Sequence, residues 1–84
     1  LRHQNYPNPF NPSTRISYFL PEANFVTLKV YDILGNEIAT LVNESKPSGK
    51  FEVEFNGSNL STGTYIYTLT SGNYQTIRKM LLIK

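Results

Sequence analysis

Thr64-Tyr65-Ile66-Tyr67-Thr68-Leu69-Thr70-Ser71-Gly72-Asn73 is the stretch that settles the kind of fold. Strict alternation puts Tyr65, Tyr67 and Leu69 on one face and Ile66, Thr68 and Thr70 on the other, the period of two that a half-buried strand needs. Ser71-Gly72-Asn73 then reads as a tight turn, so residues 74 to 83 are expected to return antiparallel. That last strand is ambiguous as a pattern, because Ile77, Leu81 and Ile83 compete with Met80 and Leu82 for the inward face. A fully buried strand, a bulge, or a pairing that leaves one apolar row exposed would each produce it.

The same alternation recurs upstream. Ile16, Tyr18 and Leu20 oppose Arg15, Ser17 and Phe19 until Pro21 stops the run; Val26, Leu28 and Val30 oppose Thr27, Lys29 and Tyr31. Pro21-Glu22-Ala23-Asn24 between them suits a hairpin or a crossing from one sheet to another. Asp32-Ile33-Leu34-Gly35-Asn36 reads as a turn, in which the acid bonds the backbone ahead and Gly35 or Asn36 takes a positive φ cheaply. Residues 37 to 42 resume as a strand whose register Ile38, Leu41 and Val42 leave open, and Asn43 to Gly49, with Pro47, is expected to be a polar loop. Phe51, Val53 and Phe55 form a clear inward row against Lys50, Glu52 and Glu54. Asn56-Gly57 closes that strand and Ser58 to Gly63 is a longer connection.

Pro7, Pro9 and Pro12 crowd the opening segment, Asn5-Tyr6-Pro7-Asn8-Pro9-Phe10-Asn11-Pro12-Ser13-Thr14. Each removes a backbone donor and fixes φ, so residues 1–13 are expected to be an extended, turn-rich lead-in and residues 14–84 the folded body, with a further strand from residues near Leu1 to Tyr6. Six well-signalled strands plus that one, turns every 8 to 12 residues and no amphipathic helix predict an all-β, antiparallel Ig-like β-sandwich of about seven strands.

Eighty-four residues make one domain that buries only about 60 to 65% of the surface of its unfolded chain, too little for a deep catalytic cavity. With no cysteine, neither a disulfide nor a cysteine-based metal site is available, and packing of six tyrosines, five phenylalanines and the aliphatics must hold the fold. A net charge of +2 offers no field for nucleic acid, and no apolar run nears the roughly 20 residues that span a bilayer. Leu1-Arg2-His3-Gln4 lacks a signal-peptide layout, so the chain reads as the terminal domain of a longer protein with its own leader upstream.

Catalytic chemistry finds little to use. His3 falls in the lead-in, where a general base could not be held in place. Asp32 offers one carboxylate where calcium needs about six oxygens. Glu52 and Glu54 sit about 7 Å apart on one strand face, the ordinary look of a half-solvated strand. No cofactor and no metal are expected. Phe19, Phe25, Tyr31 and Tyr74 could stack on sugars if their rings lined up in the open, although covering the sandwich is the plainer use of such rings.

A long ordered series of positions resembles a known family. It runs from Gln4 through Thr14, then Ile16, Tyr18, Leu20 and Pro21, Val30-Tyr31-Asp32 with Leu34-Gly35, Thr40-Leu41-Val42, Phe55-Asn56-Gly57, Leu60, Gly63, Tyr65, Tyr67, Leu69 and Lys79-Met80. Within it Asn5, Pro7, Asn8, Pro9, Phe10, Asn11, Pro12, Tyr31, Asp32, Gly35, Gly63 and Tyr65 make up the structural motif. The series is similar to the type A C-terminal sorting domain of proteins exported by the type IX secretion system, and to the related Ig-like domain of the flagellar hook-capping protein. The resemblance implies a non-catalytic export signal attached to an upstream cargo. It implies recognition by an outer-membrane translocon, removal by a sortase-like surface peptidase, and a route through the periplasm to the cell surface or beyond. Recognition in that family centres on the last strand, here Arg78, Lys79, Met80, Leu82, Ile83 and Lys84. The competing expectations are a structural or carbohydrate-binding Ig-like accessory domain of a secreted hydrolase and a hook-capping-type scaffold domain.

Overall fold

Two antiparallel sheets face each other in the computed structural model, which describes the backbone of Arg2–Tyr6, Pro9 and residues 12–84, and the side chains of Pro9 and residues 12–84. β1 (Arg2–Tyr6), β2 (Ser13–Leu20) and β5 (Gly49–Asn56) form one sheet in the order β1-β2-β5. β3 (Asn24–Tyr31), β4 (Glu37–Lys46), β6 (Gly63–Ser71) and β7 (Tyr74–Leu82) form the other in the order β4-β3-β6-β7. This is the immunoglobulin-like division, with hairpins inside the second sheet and crossings between sheets at β2–β3, β4–β5 and β5–β6. The further strand expected near Leu1 to Tyr6 is β1, and Pro21-Glu22-Ala23 is a crossing. Of the opening motif, Pro7, Asn8, Phe10 and Asn11 lie outside the described residues, as do the side chains of His3 and Asn5.

The inward faces read from alternation are the ones that pack. Ile16, Tyr18, Leu20 and Phe55 from the first sheet meet Val26, Leu28, Val30, Val42, Tyr65, Tyr67, Leu69, Met80 and Leu82 from the second in one buried cluster. Phe51 and Val53 are half-buried at its margin, where β5 is an edge strand. The competition in β7 is resolved by Met80 and Leu82 facing in, which leaves Ile77, Leu81 and Ile83 exposed.

Two bulges explain the unreadable register of β4. Leu28 pairs with Val42 and Lys29 with Thr40, so Leu41 is extra; Val30 pairs with Ala39 and Tyr31 with Glu37, so Ile38 is extra. The expected polar loop from Asn43 to Gly49 is wrong in extent. β4 continues to Lys46, pairing Asn43, Glu44, Ser45 and Lys46 with Thr27, Val26, Phe25 and Asn24. An edge strand is held by backbone bonds to its neighbour and tolerates polar side chains, so composition alone misplaced its end.

At the Gly72-Asn73 turn, Ser71 pairs with Tyr74 and Gly72 takes φ 60°, a glycine-first two-residue hairpin. A Cβ at Gly72 would stand 2.5 Å from the side-chain Nδ2 of Asn24, which can swing aside, so it is the positive φ that favours glycine there. Tyr65 donates its hydroxyl to the Ser61 carbonyl at 2.7 Å, tying the start of β6 to the connection before it. This is the tyrosine corner of immunoglobulin-like sandwiches.

One core group is unsatisfied: among the described residues, the buried Tyr18 hydroxyl has no hydrogen-bond partner, while its ring stacks on Phe51 with centroids 5.3 Å apart. Burial first, and the Glu44 carboxylate second, push its pKa above the ordinary 10.0. The neutral phenol is the form the fold accepts, so its contribution is intact below pH 10 and is lost as pH rises through the raised folded value. Tyr18→Phe is therefore expected to be unchanged or up to about 1 kcal/mol more stable at pH 7, since no bond is lost. Its urea midpoint should also fall less steeply than the parent's above pH 10. A loss beyond about 1 kcal/mol at pH 7 would mean that the hydroxyl has a partner.

Candidate recognition surface

The terminal strand divides its side chains between two jobs. β7 pairs with β6 along its whole length, Gly63 with Leu82 through Ser71 with Tyr74, and stands last in the strand order of its sheet. Of the six recognition residues read from the sequence, Met80 and Leu82 are core, at 1% and 0% exposure. No partner reaches them while the sandwich is closed. Arg78, Lys79, Ile83 and Lys84 are exposed. Arg78 stands opposite Tyr67, whose pKa burial raises and the nearby guanidinium pulls back; Lys79 stands opposite Ile66 on the outer face.

Lys84 is tethered: its backbone N–H donates to Thr62 Oγ1 at 3.1 Å and its Nζ to the Ser58 carbonyl. The end of the chain is thus pinned on the β5–β6 connection, where Leu60 N–H also bonds the Gly57 carbonyl and Ser58 N–H the Asn56 side chain. Ile77, 63% exposed, and Leu81 lie outside the set that the resemblance implied. On the outer face they flank Lys79 and, with Ile66 alongside, form an apolar strip crossed by one cation.

Several of the motif residues that the structure describes take part in turns and connections. Asp32 accepts from the Leu34 and Asn36 N–H groups, each at 2.9 Å, and from Asn36 Nδ2 at 3.0 Å. These bonds, the Asn36 amide foremost, hold its carboxyl below the ordinary value. Gly35, at φ 90°, donates to the Asp32 carbonyl and completes the turn. Tyr31 is half-buried on the outer face, and Pro9 and Pro12 are exposed. The Pro12 carbonyl accepts from Gly57 N–H at 2.8 Å, linking the opening segment to the β5–β6 connection, and Gly63 begins β6 two residues before the corner tyrosine.

Other candidates dissolve. Glu52 is taken by Arg15 at 3.8 Å and by the Ser17 hydroxyl at 3.4 Å on an open strand face. Phe19 faces out from the first sheet and Phe25 from the second; Tyr31 shares Phe25's face but lies six residues along, about 20 Å. Tyr74 sits beside the Gly72-Asn73 turn, so the four rings do not line up. Among the described residues no group of His, Asp and Glu could hold a metal, and no helix is long and apolar enough to cross a membrane.

The model of the secretion system C-terminal sorting domain, the tail of type IX cargo, matches residues 4–84. The chain belongs to that family. It is also similar to an endo-acting ulvan lyase of Formosa agariphila, at 33% identity over 87 aligned positions that take in 94% of this chain and 14% of the lyase. The chain thus spans about one seventh of that relative, and the shared part is the sorting domain. The domain is a non-catalytic C-terminal sorting signal that directs its protein to the cell surface or the extracellular space.

Burial separates folding effects from recognition effects at the terminal strand. Met80→Ala is expected to cost about 2 to 4 kcal/mol, because it opens a cavity between the sheets. Arg78→Ala and Lys79→Ala should each stay within about 0.5 kcal/mol of the parent. Urea unfolding of the three variants checks this, and equal losses at all three positions would contradict the facing assigned to β7.

Proposed function

We propose that the type IX outer-membrane translocon reads this domain folded, through the exposed side of β7, after the precursor has crossed the periplasm, and that a sortase-like surface peptidase then removes it. The reading rests above all on the state of β7, which displays Ile77, Lys79 and Leu81 on one face while Met80 and Leu82 anchor it from the other. Such a face can dock on a partner through its side chains, the apolar Ile77 and Leu81 supplying buried area and the Lys79 cation selectivity. The cargo lies outside this domain. This chain covers 14% of the Formosa agariphila lyase, so that protein's activity is not carried over to it.

The test fuses residues 1 to 84 to the C-terminus of a periplasm-targeted fluorescent protein, in a type IX-competent bacterium and in its translocon-deficient counterpart. Translocon-dependent appearance at the surface or in the medium, with loss of the tag, is expected. Replacing Ile77 and Leu81 by Asp should reduce export while leaving the free energy of urea unfolding within about 1 kcal/mol of the parent. Retention of an intact, folded fusion in both strains would sink the proposal.

A further inference from the structure

The largest exposed aliphatic residues of the described chain are at the tip of the β3–β4 turn. Leu34 is 84% exposed and Ile33 68% exposed. The central positions of a tight turn favour Asn, Asp, Gly, Ser or Pro, whose shapes and hydrogen bonds suit the bend, and a β-branched aliphatic gains nothing there. Neither residue belongs to the core cluster or its margin. Folding therefore does not account for them.

Their exposure is also enforced. A mobile loop could fold two aliphatic side chains back onto the sheet, but this turn is fixed by three bonds to the Asp32 carboxylate. Two backbone bonds add to them, Gly35 N–H to the Asp32 carbonyl at 3.1 Å and Asp32 N–H to the Asn36 carbonyl at 3.0 Å. Gly35 at φ 90° supplies the left-handed residue that closes such a three-residue loop. A side-chain pair held out in one conformation loses little entropy on binding, which is what a docking element needs.

The charges around the tip select the kind of surface that takes it. Asp32 sits at its base, and Glu37 lies one residue past the turn, paired with Lys29 at 3.4 Å. Hydrogen bonds hold both carboxyls below their ordinary values, Asp32 through Asn36 and Glu37 through Thr40, so both are ionised at neutral pH. Residues 32 to 36 contain no cation. Anionic headgroups would repel this base and a hydrocarbon layer would strip water from it, whereas a protein socket can be apolar at its floor and carry donors at its rim.

We propose that Ile33 and Leu34 form a preformed plug that docks into an apolar, donor-rimmed socket on the protein that reads β7. The proposal rests on the export reading above. Register makes the two contacts one footprint: Tyr31, at the base of the turn, pairs with Ile66, which pairs with Lys79, so the turn and the outer half of β7 lie two strand spacings apart, about 10 Å. A partner that holds the terminal strand reaches the plug without spanning more of the molecule, and two linked contacts bind more tightly than either.

The experiment compares the parent fusion with an Ile33→Ser, Leu34→Ser double variant, in the translocon-competent strain at limiting expression. Export of the variant is expected to fall about tenfold or more, as removal of two buried aliphatics from a complex requires, with an unchanged melting temperature because the tip buries nothing in the fold. Equal export of parent and variant would overturn the plug and leave the sorting reading intact. Retention of the parent itself would overturn both. Flotation of the purified domain with phosphatidylethanolamine and phosphatidylglycerol vesicles is the second arm. Binding by the parent and not by the variant would assign the tip to a membrane and overturn the protein socket; no binding by either agrees with it.

Discussion

Everything in this domain hangs on the single layer of side chains between the two sheets. The chain has no cysteine, and no metal cluster occurs among the described residues, so no covalent or ionic clamp takes over if that layer fails. The three ion pairs between described residues are surface pairs, worth little individually. Ile16 and Leu20 on one side and Leu28, Tyr67 and Met80 on the other must all face inward together. A slip of one residue in any strand would turn its apolar set to water.

That constraint explains where the special turns are. The glycine-first turn at Gly72-Asn73 sets the register of β7 on β6, and the bond from Tyr65 to Ser61 fixes how β6 enters its sheet. The Asp32 network does the same for β3 and β4, where two bulges would otherwise leave pairing loose. Lys84 is tied to Thr62 and Ser58, so the last residues are clipped to the connection that also receives Pro12. Three segments distant in sequence, the opening, the β5–β6 connection and the terminus, meet at one end of the sandwich.

The alternation of Tyr65, Tyr67 and Leu69, and of Val26, Leu28 and Val30, was legible because period two reports facing directly when one side is buried. β4 was not, because its bulges add Ile38 and Leu41 out of phase and its last four residues are polar on an edge. β7 was half legible. Alternation alone offers two apolar sets and no means to choose, since the choice depends on which face β6 turns to the core. The resemblance named the terminal residues as a group, and only burial separates Met80 and Leu82 from Arg78, Lys79, Ile83 and Lys84. Ile33 and Leu34 were visible in the sequence as turn residues. What a sequence does not give is their outward pose, which follows from five hydrogen bonds closing around Asp32.

On the proposed reading, a sorting signal made of core and surface residues on one strand makes folding a condition of being read. When the sandwich is closed, Ile77, Lys79 and Leu81 are presented in fixed register on a flat outer face, and Met80 and Leu82 hold them there. When it is open, the strand is an apolar peptide without geometry, and the turn that carries Ile33 and Leu34 loses the β3–β4 pairing beneath it. A partner that requires two features about 10 Å apart on different strands therefore discriminates against unfolded chains without contacting the core. On that proposal the marginal stability expected of so small a domain has a use, because a domain that fails to fold does not present the signal.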